Sequence, residues 1–430
     1  MKKALAIVLL IVILVTTVSC SQKKENKKTL RITYDSSLYG TAWMDAAQKD
    51  FESNHPDISL SITADSQLTE HYSSLLQTED NGPDLIFLAR TDWQEDAKAN
   101  RLSSLNTLFT GTTYGKSLLS ILSPGVAASC SWQGQYKIYP WGAQTSGLLY
   151  NGEMFAQHGW QVPQTVSQLA TLCNQMRLEG IPPFSWSADR ADYWTDAIDS
   201  WWAQFDGTST MQNYLAMGSP AVYGTQGRLE ALRSFQQTVN TTNSYNTPFN
   251  MDGQAAVQAF LDGKAAMMPA GYLDEIASIS IPQDFSLRTM ALPAPDGAHE
   301  SNLNVMTIPG IAVIPAKASS PSVAQQFLAD LSTDAGLTQF MATTGHPTPF
   351  IMDDRQSGSL PVFLQNAEPI WKQNSLYLYS NQEIYYRYLF DWPWQGSPVL
   401  QLYTGTSTPE QEFSNNLQTA QQMWNIYSST

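Results

Sequence analysis

The sequence predicts an α/β protein in two domains, the first built on an open, mostly parallel sheet. Residues 30–88 run strand, helix, strand, helix, strand, which is the rhythm of such a sheet. The 430-residue chain is also longer than one hydrophobic core usually fills. In open α/β sheets ligands bind beyond the carboxyl ends of strands, so the loops 35–41 and 89–93 draw attention first.

Lys2 and Lys3 precede an apolar run from Ala4 to Val15, and small residues lead on to Cys20. A charged start, an apolar core too short for a comfortable span and a small-residue cleavage site describe a secretory signal. Residues 21–29 contain no apolar side chain and read as a solvated tether whose lysines suit an anionic membrane surface. Beyond them the balance is acidic. Residues 1–29 hold six of the 23 Lys and Arg and one of the 38 Asp and Glu, leaving a body of net charge −20. A surface of that sign repels nucleic acid. Cys130 and Cys173 either form one disulfide or stay as buried thiols, and the sequence leaves both open. There is no CxxC and no paired histidine motif, so neither a metal site nor a cofactor is expected.

Leu30–Tyr34 alternates as a first strand. A helix follows over 42–53 with Trp43, Ala47 and Phe51 on one face, and His55-Pro56-Asp57 stops it. Ile58, Leu60 and Ile62 alternate as a second strand, Tyr72 to Leu76 belong to a second helix, and Leu85–Leu88 reads as a strand buried on both faces. Two strand-like pieces flank Pro140-Trp141-Gly142, a place where the chain crosses between domains. Thr165 is placed to cap a helix over 166–178. Trp194, Ile198, Trp201, Trp202 and Phe205 share one helix face, whereas Trp186 and Tyr193, in a looser polar segment, are better candidates for exposure. Phe260–Tyr272 reads as a helix end stopped by Gly263, a short strand over 265–268, then Gly271 and a helix start carrying Tyr272. A glycine at such a junction admits a ligand to the backbone. Gly310–Ile314 is a further strand, and Ser320-Pro321 opens a helix with Val323, Phe327, Leu328 and Leu331 as its apolar face. The remainder to Thr430 reads mainly helical.

Cys20, with Ser19 before it, resembles the lipobox of bacterial lipoproteins, which implies a diacylated Cys20 and a lipid anchor. Six further segments resemble, in order, motifs of the extracellular solute-binding proteins of ABC importers, the family containing the maltose-binding proteins. They are Phe51 to Ile58, Gly82 to Ile86, Arg101 to Leu105, Tyr136 to Pro140 with Leu148 to Asn151, Phe260 to Met267, and Leu292 to Gly297. The resemblance implies a periplasmic-binding-protein-like fold: two lobes, each an open α/β sheet, joined by crossing hinge strands. It divides the chain into a signal peptide (1–19), an anchor and tether (20–29), lobe 1 (30–141 plus 264–316) and lobe 2 (142–263 plus 317–430). Gly263 to Tyr272 becomes a crossing strand returning to lobe 1. The implied function is capture of a mono- or oligosaccharide between the lobes and delivery to a permease, without catalysis, by a monomer outside the cell membrane (or on its periplasmic side in a Gram-negative host). Carried over position by position, the ligand contacts are Arg90, Thr91, Asp92 and Trp93 after the third strand, Trp141 and Gln144 at the crossing, Trp186, Asp192 or Tyr193, the pair Gly271 and Tyr272, and Trp392 from the late aromatics.

Pyranose faces pack on aromatic rings and hydroxyls take planar amide, carboxylate or guanidinium partners, so thirteen tryptophans permit a sugar site without requiring one. An exported glycosidase would need two opposed carboxyls, and no strand-end acid pattern stands out. A polyamine would suit the acidic body.

Overall fold

The computed structural model describes residues 27–79, 81–89, 93–112, 114–123, 125–216, 219–277, 279, 281–352, 358, 360–366, 375–377 and 398–427. Strands β1 (Lys28–Asp35), β2 (Ile58–Asp65) and β3 (Leu85–Ala89) alternate with helices α1 (Ala42–Asn54) and α2 (Leu68–Leu75). A hairpin of β4 (Ser131–Trp132) and β5 (Gln135–Tyr136) leads into β6 (Tyr139–Trp141), β7 (Gln144–Thr145) and β8 (Leu148–Asn151). Helices α3 (Val166–Leu178), α4 (Asp192–Ala216), α5 (Gln226–Thr238) and α6 (Gly253–Leu261) follow. The chain returns to strand in β9 (Met267–Pro269), β10 (Leu287–Met290), β11 (Asn304–Thr307) and β12 (Gly310–Val313). After α7 (Pro321–Leu331) and α8 (Asp334–Thr344) come β13 (Ser375–Tyr377), α9 (Val399–Thr404) and α10 (Pro409–Tyr427). Among the described residues no helix is long and apolar enough to cross a membrane.

Three of the sheets organise these elements. The largest has the order β2-β1-β3-β12-β6, with β1 parallel to both neighbours and β12 antiparallel to β3 and β6. A second, β10-β8-β9, is antiparallel. The third, β13-β11-β7, lies on the chain's path between them. Helix starts follow local chemistry: the Thr165 side chain accepts from Gln168 N at the head of α3, and Asp252 does the same for Ala255 N at the head of α6. Helix α4 breaks at Gly207, where the Glu300 carboxylate takes Thr208 N (2.7 Å) and so caps the second half.

Two expectations about which sheet each segment joins need correcting. Residues 264–316 do not all accompany 30–141, because β9 and β10 flank β8. The reason is burial: Ala265, Ala266, Met267 and Met268 are wholly enclosed. Such a run needs a neighbour on each side, and it finds β8 on one and an isolated bridge to Phe184 on the other. The return to the five-stranded sheet is made instead by β11 and β12, so Gly263 to Tyr272 is not a crossing strand. Conversely, 321–344 packs on the five-stranded sheet. Phe327 meets Phe51 (5.1 Å) and Phe87 (6.3 Å), and Phe340 meets Trp43 (5.7 Å) and Trp141 (4.3 Å). Among the later helices, Arg233 of α5 pairs with Glu410 of α10 at 2.8 Å.

Ser320 precedes α7 without a side-chain cap; the anchoring is done from across the sheet edge by Asp84. This fully buried carboxylate accepts from Ser320 N (2.8 Å), Ser319 Oγ (2.8 Å) and Arg31 N (3.0 Å). Cys130 and Cys173 are both buried thiols and are not joined to each other, so the question of a disulfide is answered. Burial raises the Cys173 thiol to about 12, which leaves it unreactive.

Replacing Asp84 by alanine strips three donors of their acceptor. Asp84→Ala should therefore cost about 3–5 kcal/mol in urea denaturation. A loss below about 1 kcal/mol would mean that water serves these donors equally well.

Candidate ligand-binding site

The site is built where β7, the N-terminal end of α4 and the turn after β9 meet. That turn, Ala270–Tyr272, is a short 3-10 segment leading into a helix over Leu273–Ala277. Its centre, Gly271, is tightly approached. A Cβ there would lie 2.4 Å from the Tyr193 ring and 2.6 Å from Gln144 Nε2, so only glycine lets both side chains reach the backbone. Tyr193 stands edge-to-face on Tyr272 with ring centroids 4.9 Å apart, and its hydroxyl lies 3.3 Å from each Glu275 oxygen. Arg190 Nε donates to Glu275 Oε1 at 2.7 Å. Tyr272 is held from behind, its hydroxyl accepting from Ser187 N (2.8 Å). Burial raises its phenol well above the ordinary value, and the hydrogen bond to Glu275 does the same for the Arg190 guanidinium.

A row of acids continues along α4. Asp192, Asp196 and Asp199 recur at helical spacing and keep partial exposure. Burial raises the Asp192 carboxyl above its usual range, with Arg190 opposing. Asp196 is pushed well above that range by burial, to which the charges of Asp199 and Asp192 add. Asp199 is raised to about 6 by burial, against the pull of Arg228. Arg228 in turn sits over the rings of Trp202 (4.9 Å) and Tyr223 (5.3 Å).

Beneath the site lies a buried polar relay. Val305 N donates to Ser200 Oγ (3.0 Å), Ser200 Oγ meets Ser146 Oγ, and Ser146 Oγ donates to Asn304 Oδ1 (2.9 Å). Since the Ser146 proton goes to Asn304, the proton between the two serines belongs to Ser200. The relay fastens β7 and β11 to α4.

Gln144, Tyr193, Gly271 and Tyr272, named from the sequence, thus come together. Gln144 and Tyr193 are half-buried, Tyr272 fully so. Three tryptophans turn inward. Trp93 is enclosed at the start of the helix Trp93–Lys98. Trp141 lies 5.1 Å from Trp43 and 4.3 Å from Phe340. Trp186, expected to be exposed, is fully buried. It lies two residues after Phe184, which bridges to Met267 of β9 and to Ser244, and its indole packs edge-on against Tyr403 (4.9 Å) and donates to Ser244 Oγ (2.9 Å). Arg90, Thr91, Asp92 and Trp392 lie outside the described residues, as does Cys20. Sequence reasoning missed Arg190 and Glu275, which are 85 residues apart and carry no local signal. The acidic row did carry one, its i, i+4, i+7 spacing among tryptophans. Half-buried amide, ring and ion pair together offer a planar apolar face flanked by bidentate polar groups. Among the described residues no group of three or more His, Cys, Asp and Glu could hold a metal ion.

Residues 46–353 match the profile of a family described as "Bacterial extracellular solute-binding protein". No curated protein matches the chain. Many solved structures do. One comes from work on xylan utilization by the thermophilic bacterium Caldanaerobius polysaccharolyticus, with 17% identity, TM-score 0.69, and coverage of 91% of this chain and 99% of that one. RafE in complex with raffinose gives 17%, 0.67, 92% and 99% for the same measures. Maltose-bound MalE3 of T. maritima gives 16%, 0.67, 92% and 99%. At such identities the likeness shows the fold, which is the two-lobed α/β fold expected.

The raised carboxyls of the acidic row make a signed prediction. The folded state binds protons there that the unfolded chain releases, so stability falls as pH rises from about 4 through about 6. Asp196→Asn should raise Tm at pH 7.5 by about 1–3 °C. The gain should vanish near pH 4, where the wild-type carboxyl is already protonated. Thermal melts across this range check both statements; an equal gain at the two ends would mean that charge at Asp196 is not what opposes folding.

Proposed function

We propose, from the premise that this chain belongs to the bacterial extracellular solute-binding protein family, that it binds a mono- or oligosaccharide between its two lobes. The observation that carries this reading is the approach of Tyr193 and Gln144 to the bare backbone of Gly271. It sets an aromatic face beside an amide that both donates and accepts, with Arg190, Glu275 and Asp192 at the edge. A sugar ring needs this pairing of apolar face and in-plane polar partners. Similar solved structures in complex with raffinose, maltose or acarbose, and that of a chitin oligosaccharide binding protein, support the same reading.

Membership of an extracellular family makes this an exported protein. We further propose cleavage before Cys20, lipid attachment there, and delivery of the solute to an ABC importer permease by a monomer without turnover. The first lobe is then 28–141 with 310–352, and the second 148–303 with 360–427. One second reading has an observation behind it. Asp192, Asp196 and Asp199 stand in a row whose raised carboxyls a cationic solute such as a polyamine would draw into ionisation.

Titration calorimetry with a saccharide panel and with spermidine separates the two. A saccharide should bind, and Tyr193→Ala should weaken it roughly tenfold, the worth of one aromatic contact. Heat from spermidine alone would replace sugar by cation, and products released from an oligosaccharide would make the protein an enzyme.

A further inference from the structure

Two links between the five-stranded sheet and the β13-β11-β7 sheet are only two residues long. Gly142-Ala143 joins β6 to β7, and Ile308-Pro309 joins β11 to β12. A third leaves α8 at Gly345 and runs beside the first, where Ala143 N donates to Pro347 O (2.9 Å). On one side of these links the serine relay holds β7 and β11 to α4. On the other, β6 and β12 are laddered into the five-stranded sheet. Any bending between the two bodies therefore falls on the links.

The first two links leave the sheet at the rim formed by the carboxyl ends of its parallel strands, since Gly310 pairs with Ala89 and with Trp141. Tyr39 stands at this same rim. It ends the short helical turn Ser36–Tyr39 that follows β1, a turn capped by Asp35 through Ser37 N (2.9 Å). Its ring reaches the first and third links and, for the second, the residue that follows it, Gly310. A Cβ on Gly142 would lie 2.1 Å from Tyr39 Oη, and one on Gly310 3.2 Å from Cε2. Gly142 also has φ +71°, which side chains rarely adopt. The ring centroid lies 5.0 Å from that of His346, the residue after Gly345. Behind it, Phe340 braces the ring edge-to-face at 5.2 Å. One half-buried side chain thus fills the angle where three links leave the first lobe.

We propose that Tyr39 is the stop that limits how far the lobes fold toward each other. Held between the β1 turn and the links, the ring resists narrowing of the interlobe angle and keeps the unliganded protein open. It is a positioning residue, acting on the ligand only through the relative placement of the walls. Its effect on affinity rests on the binding reading above: an equilibrium biased toward open weakens capture by the fraction of closed form it removes.

Small-angle X-ray scattering of the full chain without ligand tests the stop independently of any solute. Tyr39→Ala should lower the radius of gyration by roughly 0.5 Å from a value near 22 Å for a chain of this length. Tyr39→Phe should match wild type, because the ring remains and its Cζ alone lies 2.5 Å from where a Cβ on Gly142 would stand. Should the alanine variant fail to fold, Tyr39→Leu keeps the packing on Phe340 while removing the ring from the links. A folded Tyr39→Ala or Tyr39→Leu variant with an unchanged or larger radius overturns the proposal, whatever its Tm, since a purely structural role moves Tm alone. Where a saccharide binds wild type, its affinity should rise at least threefold in the compact variant. If no saccharide binds yet the radius falls, the stop stands and the sugar reading fails.

Discussion

The architecture depends on the buried serine relay between α4 and the strands that cross between sheets. Ser146, Ser200 and Asn304 are each at most 5% exposed and come from segments up to 158 residues apart. Any one of them left without its partner would strand a polar group in the interior at a cost of about 1–3 kcal/mol. Their mutual satisfaction makes β7, β11 and α4 one rigid unit, and the other features follow from that rigidity. Gln144 is presented from β7 at a fixed place, Tyr193 projects from the first turn of α4 on the same unit, and bending is displaced to the short links beyond.

The aromatic content serves this framework more than the ligand. Trp194, Trp201 and Trp202 are buried along α4, as their spacing implies, and Trp43, Trp141 and Phe340 interlock on the five-stranded sheet. Tyr193 differs because the backbone opposite it is glycine. One face of its ring rests on Gly271, its edge meets Tyr272, and its hydroxyl is tied to Glu275. A half-exposed ring pinned at three points loses little freedom when a flat solute settles on it.

Much of the fold was legible because periodicity and capping act locally. Thr165 and the helix 166–178 appear where expected, and so do the strands near 30, 58, 85 and 310. What the sequence hid was which sheet each segment joins. The run 265–269 announces a buried strand, yet nothing within it says that its neighbours are Leu148–Asn151 and Phe184. Likewise the apolar face of Pro321–Leu331 demands cover without naming Phe51 and Phe87 as its source. The site was half legible for the same reason. Gly271, Tyr193 and Gln144 were reached through motif order, whereas composition alone could not separate inward Trp186 from half-exposed Tyr193, nor pair Arg190 with Glu275.

The crowding at Gly271 also bears on how such a site can change over generations. Any substitution there collides at once with Tyr193 and Gln144, so the position is closed to gradual retuning. Half-exposed Gln144 and Asp196, by contrast, can exchange charge for amide or amide for charge while the backbone stays in place. Under the proposed reading, changes of solute preference would fall on such rim positions and leave the glycine in place.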